Sequence, residues 1–205
     1  IGQRLSASGS TRFRDVRVTE DELAYVDEAA AGSPWPGSLA QLYLAAIEAG
    51  IAAAVLDDAI WFGREKARPI KHSPAQRSGD DPYVRHAVGE IAARAHSARA
   101  SVLLAAETLG QVPLGKLAAT VARDQAKNAA VVVAAAQYAA IEAALKAAEL
   151  LFDVGGGQAT NRDFAFDRHW RNARTIANHN PRDWKVAVVG AYYLNGDDPP
   201  LTGLF

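Results

Sequence analysis

A chain of 205 residues is long enough to bury a sizeable core without covalent staples. Its 22 Lys+Arg against 23 Asp+Glu leave a net charge of −1, which argues against a protein that coats nucleic acid or binds membranes through a polybasic surface. With 49% hydrophobic and 22% charged residues the chain is globular rather than disordered, and the lack of Cys removes disulfides, Cys-based zinc sites and thiol nucleophiles, as suits the cytoplasm.

There is also no Met, even at position 1. A native chain starts with one, so the sequence reads as an internal or processed fragment, or as one that has lost modified methionines. No signal peptide is visible at Ile1-Gly2-Gln3-Arg4. Residues 1–20 alternate Phe13, Val16 and Val18 with charged neighbours after a small polar stretch, a pattern that predicts a strand or two. An isolated hairpin is marginal in water, so this piece needs partner strands from an upstream segment. It reads as the end of a β domain, with 21–36 as a linker and 37–205 as a helical domain.

Ser38 and Gln41 have the spacing of a capping box, and Leu39, Leu42, Ile47 and Val55 follow at helical spacing to about Arg68, where Pro69 stops the helix. The stretch Ile70 to Gly79 reads as a polar loop. Asp81-Pro82 supplies an N-cap and an N1 proline for a second helix, which runs through Ile91, Ala95, Val102 and Leu104 to Gly110. A third runs from about Leu114 to Phe152 and ends in Gly155-Gly156-Gly157. Its unbroken apolar run Ala129 to Ala136 predicts burial on all sides, by its own domain and by a partner subunit. Lys127, Gln137 and Glu142 interrupt it short of the ~20 residues of a membrane span. Two shorter helices follow, one between about Asn161 and Asn178, the other starting at the Asn180-Pro181 N-cap and N1 pair and carrying Trp184, Val186 and Val189 toward Gly196. The expected fold is mainly α, an up-and-down four-helix bundle with a short β segment at its N-terminus.

Four places carry candidate chemistry. The turn Gly155-Gly156-Gly157-Gln158 can present backbone N–H groups to a phosphate, or can simply end a long helix through a left-handed cap. It is neither a Walker loop nor a dinucleotide fingerprint. The block Asp167 to Thr175 is dense in hydrogen-bonding groups, with Asp167, Arg171 and Arg174 on one helical face, and suits either a packing network or a site wall. His179 stands at a helix junction, where an imidazole can exchange a proton near neutral pH or bond backbone carbonyls. Arg64, Lys66, Arg68 and Lys71 form a basic cluster, either a solvated helix end or a clamp on an anion. No two histidines are spaced i, i+3 or i, i+4, so no helical metal motif exists, and no nucleophile elbow supports a Ser-His-Asp triad.

Taken together, these segments resemble the C-terminal part of the acyl-CoA dehydrogenase superfamily, most of all its flavin-dependent (dibenzothiophene monooxygenase-like) branch. The resemblance rests on Gly2-Gln3-Arg4 through Val18 as the last strands of a middle β domain and on Phe166 to Thr175. It extends to His179-Asn180-Pro181, Trp184-Lys185 and Tyr192 to Gly196. It implies a two-component monooxygenase in which a separate flavin reductase supplies reduced FMN, and a flavin hydroperoxide oxygenates a small-molecule substrate. His179 then serves the oxygen chemistry, and Arg68 with Gly155, Gly156, Gly157 and Gln158 holds the flavin phosphate, usually across a subunit interface. Gln158 stands where relatives can carry arginine, and Ile176 where some carry a second histidine. The resemblance also implies a homotetramer or homodimer. It leaves two alternatives, an FAD-dependent acyl-CoA dehydrogenase and a non-catalytic helical oligomerisation fragment. Against the dehydrogenase, no glutamate stands between Gly155 and Phe205 to act as the α-proton base that many members carry there.

Overall fold

A computed structural model describes residues 1–23, 35–113, 119–200 and 205. Among these, five α-helices form: α1 (Trp35–Glu65), α2 (Pro82–Gly110), α3 (Ala119–Gly155), α4 (Asp167–Ala177) and α5 (Arg182–Asn195). Most of the expected 21–36 linker and the predicted start of the third helix at Leu114 lie outside the described residues.

The starts of these helices show where local signals win and where they lose. At α2 they win: Asp81 Oδ1 accepts the N–H groups of Tyr83 at 2.8 Å and Val84 at 3.4 Å, with Pro82 at the first position. α1 is already helical at Trp35, three residues before Ser38, so Ser38 and Gln41 are buried inside the helix and form no helix start. It ends at Glu65 rather than Arg68, because the N–H groups of Lys66 and Ala67 both turn back to the Phe62 carbonyl. α4 starts at Asp167 rather than Asn161. Asn161 Oδ1 instead takes the Asp163 N–H at 3.2 Å, and Ala165 adopts a left-handed φ of 48°. α5 starts after Pro181, and no side chain caps it.

Core contacts fix the direction of each leg. Leu42 of α1 packs with Ala105 and Leu109 of α2 and with Ala129 and Val133 of α3. At the other end Val55, Ala59 and Phe62 meet Ala87, Ile91, Ala148, Leu151 and Val154. α1 and α3 therefore run one way and α2 the other. The fourth leg is α4 and α5 in series. Phe166 packs at the Val154 end of α3, Ala173 beside Ala144, and Val188 and Val189 beside Ala130 and Ala134. This is the expected up-and-down bundle, with its last leg broken at residues 178–181.

The N-terminal β segment is a correction. Residues 1–18 carry no strand, and Phe13, Val16 and Val18 are exposed. No neighbouring strand pairs with this backbone, and its tie to the bundle comes from side chains of α4. The Gly2 N–H donates to Thr175 Oγ1 at 3.0 Å, and the Gln3 N–H to Asn172 Oδ1 at 2.8 Å.

α1 and α3 both reach the length and apolarity of a membrane-spanning helix by composition, and in α3 61% of that window is buried in the protein. Small side chains make this possible. Ala52, Ala95, Ala144 and Ala173, one from each of α1 to α4, share a single core layer. A carboxyl group interrupts the apolar interior midway along α1. Glu48 is fully buried, its two carboxylate oxygens have no hydrogen-bond partner among the described residues, and burial pushes its pKa up to about 9. It is therefore neutral in the folded protein at pH 7.

An unfolded Glu48 ionises near 4.5, so between that value and about 9 the folded state holds a proton that the unfolded state has lost. Stability must fall as pH rises through this window, and at pH 7 the penalty is on the order of 3 kcal/mol. Glu48→Gln is expected to raise stability by a few kcal/mol at pH 7 and to flatten the slope between pH 5 and 9, as read by urea unfolding across that range.

Candidate functional site

The glycine turn is shaped by close packing. A Cβ at Gly155 would lie 1.8 Å from Phe62 Cε1, so only glycine lets the end of α3 reach α1. Gly156 then takes a left-handed φ of 52°, which ends the helix as a left-handed cap would. Gly157 has open space where a side chain would be, and a short 3-10 turn, Gly156–Thr160, follows in place of a long helix. Gln158 Nε2 donates to the Lys66 carbonyl at 3.1 Å, which ties the turn to the end of α1 two residues before Arg68. Arg68 is exposed, as are Lys66 and Arg64. Below them Trp61, Phe62, Phe164 and Phe166 form an aromatic cluster, with Lys66 Nζ 5.9 Å from the Trp61 ring centroid.

The block on α4 divides its polar groups between two neighbours. Arg168 and His169 both donate to Asp58 Oδ2 on α1, at 2.5 and 2.7 Å. His169 is buried, and burial holds its pKa below the ordinary 6.5 despite the opposing pull of Asp58. Arg171 pairs with Asp167 at 2.8 Å, as its spacing predicts, and also donates to the Ile1 carbonyl at 3.0 Å. With Asn172 and Thr175 on the N-terminal segment, the block is a packing network. Asp58 escaped the sequence reading. Its only signal there was a carboxylate within an apolar helix.

His179 lies in the turn between α4 and α5. It is exposed, its ring makes no hydrogen bond to the described residues, and its backbone N–H donates to the Ile176 carbonyl at 2.9 Å. The turn is fastened on either side of it. Asn180 Nδ2 donates to Gln41 Oε1 on α1 at 2.8 Å, and Arg182 pairs with Glu142 on α3. Next to it a cavity of about 250 Å³ is lined by Asn180, Pro181, Trp184, Lys185, Val188, Pro200 and Phe205. Lys185 is buried there, its Nζ 4.7 Å from the Phe205 ring centroid, and burial lowers its pKa to about 8. The structure brings Gln158 and the Arg68 segment together but not His179. The 11 residues of α4 separate His179 from the glycine turn by about 16 Å along the bundle.

The broken four-helix bundle and the glycine turn define a domain class, and the chain belongs to it: residues 42–184 match the acyl-CoA dehydrogenase, C-terminal domain family. Over 202 residues the chain is 34% identical to a probable FMNH2-dependent monooxygenase, SfnC, of Pseudomonas putida, which covers 97% of this chain and 50% of that protein. It is 35% identical over 208 residues to a dibenzothiophene monooxygenase of Rhodococcus erythropolis, covering 97% and 49%. The chain thus spans about half the length of the curated relatives it matches. Among solved structures, indole-bound TdsC of Paenibacillus sp. A11-2 superposes with a TM-score of 0.77 at 28% identity, over 86% of this chain and 45% of that one. Methanesulfinate monooxygenase MsuC of Pseudomonas fluorescens gives 0.76 at 28%, over 84% and 45%. An FMN-bound form of TdsC gives 0.75.

Because Asp58 bonds a buried imidazole and also pairs with Arg168, Asp58→Ala is expected to cost about 2–3 kcal/mol. The exposed neighbour provides a control: Asp57→Ala should stay within about 0.5 kcal/mol. Denaturant midpoints of the two variants measure the contrast.

Proposed function

We propose that this chain is the C-terminal half of a two-component flavin monooxygenase. In this reading the whole protein takes reduced FMN from a separate reductase and uses oxygen to oxygenate a small molecule in the cytoplasm. The observation that carries it is the match over 97% of the chain to an FMNH2-dependent monooxygenase and to dibenzothiophene monooxygenases. The acid–base inventory agrees: no glutamate stands between Gly155 and Phe205, and the carboxyl of Glu48 is buried in the bundle with its pKa raised to about 9.

FMN, when bound, supplies the redox chemistry and the activation of oxygen. The donor set at the glycine turn fits its phosphate. Arg68 offers an exposed guanidinium, Lys66 an ammonium, and Gly157 leaves the backbone open to close approach. Gln158 offers less than a guanidinium, because one of its two amide N–H groups is already given to the Lys66 carbonyl. His179 holds or delivers a proton at an imidazole nitrogen beside the reacting centre. Its distance from the turn of its own chain supports an assembly, a homotetramer or homodimer, in which the two serve the flavin from different copies.

In the whole protein, His179→Ala is expected to lower product formation by about 10²–10⁴ while leaving flavin binding intact. Product formation equal to that of the parent overturns the assignment. Arg68→Ala should instead weaken FMN binding by roughly ten- to hundredfold, read by flavin fluorescence titration. Bleaching of a tightly held FAD by an acyl-CoA without reductase or oxygen would favour a dehydrogenase, and gel filtration as a clean monomer would remove the shared-site arrangement.

A further inference from the structure

The break in the fourth leg coincides with a buried polar pair. Gln41 on α1 and Asn180 in the turn are 3% and 7% exposed and meet at 2.8 Å across 139 residues of sequence. Gln137 of α3 is also buried, 1% exposed, and its Oε1 has no hydrogen-bond partner among the described residues. Both local capping roles open to Gln41 and Asn180 are absent. Gln41 lies inside α1 rather than at its start, and α5 begins without a side-chain cap although Asn180 stands one residue before its N-cap. Two residues with strong local uses are instead joined to each other.

His179 is the neighbour of this contact in the chain. Its ring makes no hydrogen bond to the described residues, so its position follows from the backbone of a four-residue turn. That turn joins two helices, and the side chain next to His179 reaches into the core. If Gln41 lost its acceptor, the buried Asn180 amide would be left without its partner, a loss relieved only by moving the turn toward water. The ring would move with it.

We infer that Gln41 is a positioning residue for His179, acting through Asn180, and that this buried pair holds the broken leg in one register. The inference rests on the proton-handling role proposed above. The direct readout is magnetic resonance of ring-labelled histidine in the whole protein, with the His179 signals assigned by their loss in His179→Gln. In Gln41→Leu the His179 ring signals are expected to shift or broaden while those of buried His169 stay in place. Oxygenation kcat should fall roughly ten- to hundredfold with FMN affinity unchanged. Gln41→Glu keeps an oxygen opposite Asn180 Nδ2 and should restore the signals and most of the rate. If Gln41→Leu does not fold, Asn180→Ala removes the same bond from the turn and should give the same shift.

His179 signals unchanged in Gln41→Leu or in Asn180→Ala overturn the inference, whatever happens to stability. Failure of the functional reading looks different. His179→Ala would then keep its oxygenation activity while Gln41→Leu still displaces the ring signals, and the structural coupling would stand alone.

Discussion

How closely four helices approach is decided by one layer of methyl groups. Ala52, Ala95, Ala144 and Ala173 come from four different helices and are all buried, so each backbone reaches the next with only Cβ atoms between. A second alanine cluster, Ala45, Ala49, Ala98, Ala140 and Ala143, extends the arrangement along the bundle. Interiors packed this way have little room for adjustment, because an added methylene meets backbone rather than a flexible side chain. The same closeness governs the end of α3, where Gly155 admits the Phe62 ring and so delivers the glycine turn to the basic end of α1. Position of the turn is thus a by-product of helix packing.

Against this apolar background a few polar groups are buried. Ser38, Gln41, Glu48, Gln137, Asn180 and Lys185 are among them, and the bond between Gln41 and Asn180 lies where the fourth leg is interrupted. Burying such groups opposes folding unless they find partners, and Glu48 finds none among the described residues. An unbroken α4–α5 helix would avoid the exposed backbone of the turn. It would also place His179 on a helix face, where its own neighbours would fix its direction. The break costs regular hydrogen bonds and frees one imidazole to project from the bundle.

Much of the fold was legible because its cues are local or periodic. Asp81-Pro82 marked the start of α2, the apolar run Ala129 to Ala136 marked a largely buried stretch of α3 in which Ala135 is exposed, and Asp167 and Arg171 met at the predicted spacing. The readings that failed did so where a tertiary partner outbid a local one. Ser38 and Gln41 have capping-box spacing, but Gln41 is tied to a residue 139 positions away. Asn180-Pro181 has N-cap chemistry, but the same bond claims the asparagine. Alternation in residues 1–18 describes a strand only when a neighbouring strand is present. Of the candidate site, the proximity of Gln158 to the Arg68 segment emerges from the fold, whereas Asp58 could not be singled out, since nothing in an apolar helix says which carboxylate faces a histidine 111 residues later.

The contact of Gly2 with α4 has a mechanical side. A methyl group at Gly2 would sit 2.0 Å from the Arg171 carbonyl oxygen, so the N-terminal segment lies against the helix as bare backbone, with Asn172 and Thr175 gripping its amides. One helical turn earlier, the same short helix grips α1 through Arg168, His169 and Asp58. α4 therefore works like a rivet with a head on each side. Any force that displaces the N-terminal segment is delivered to the helix whose far end carries the free imidazole.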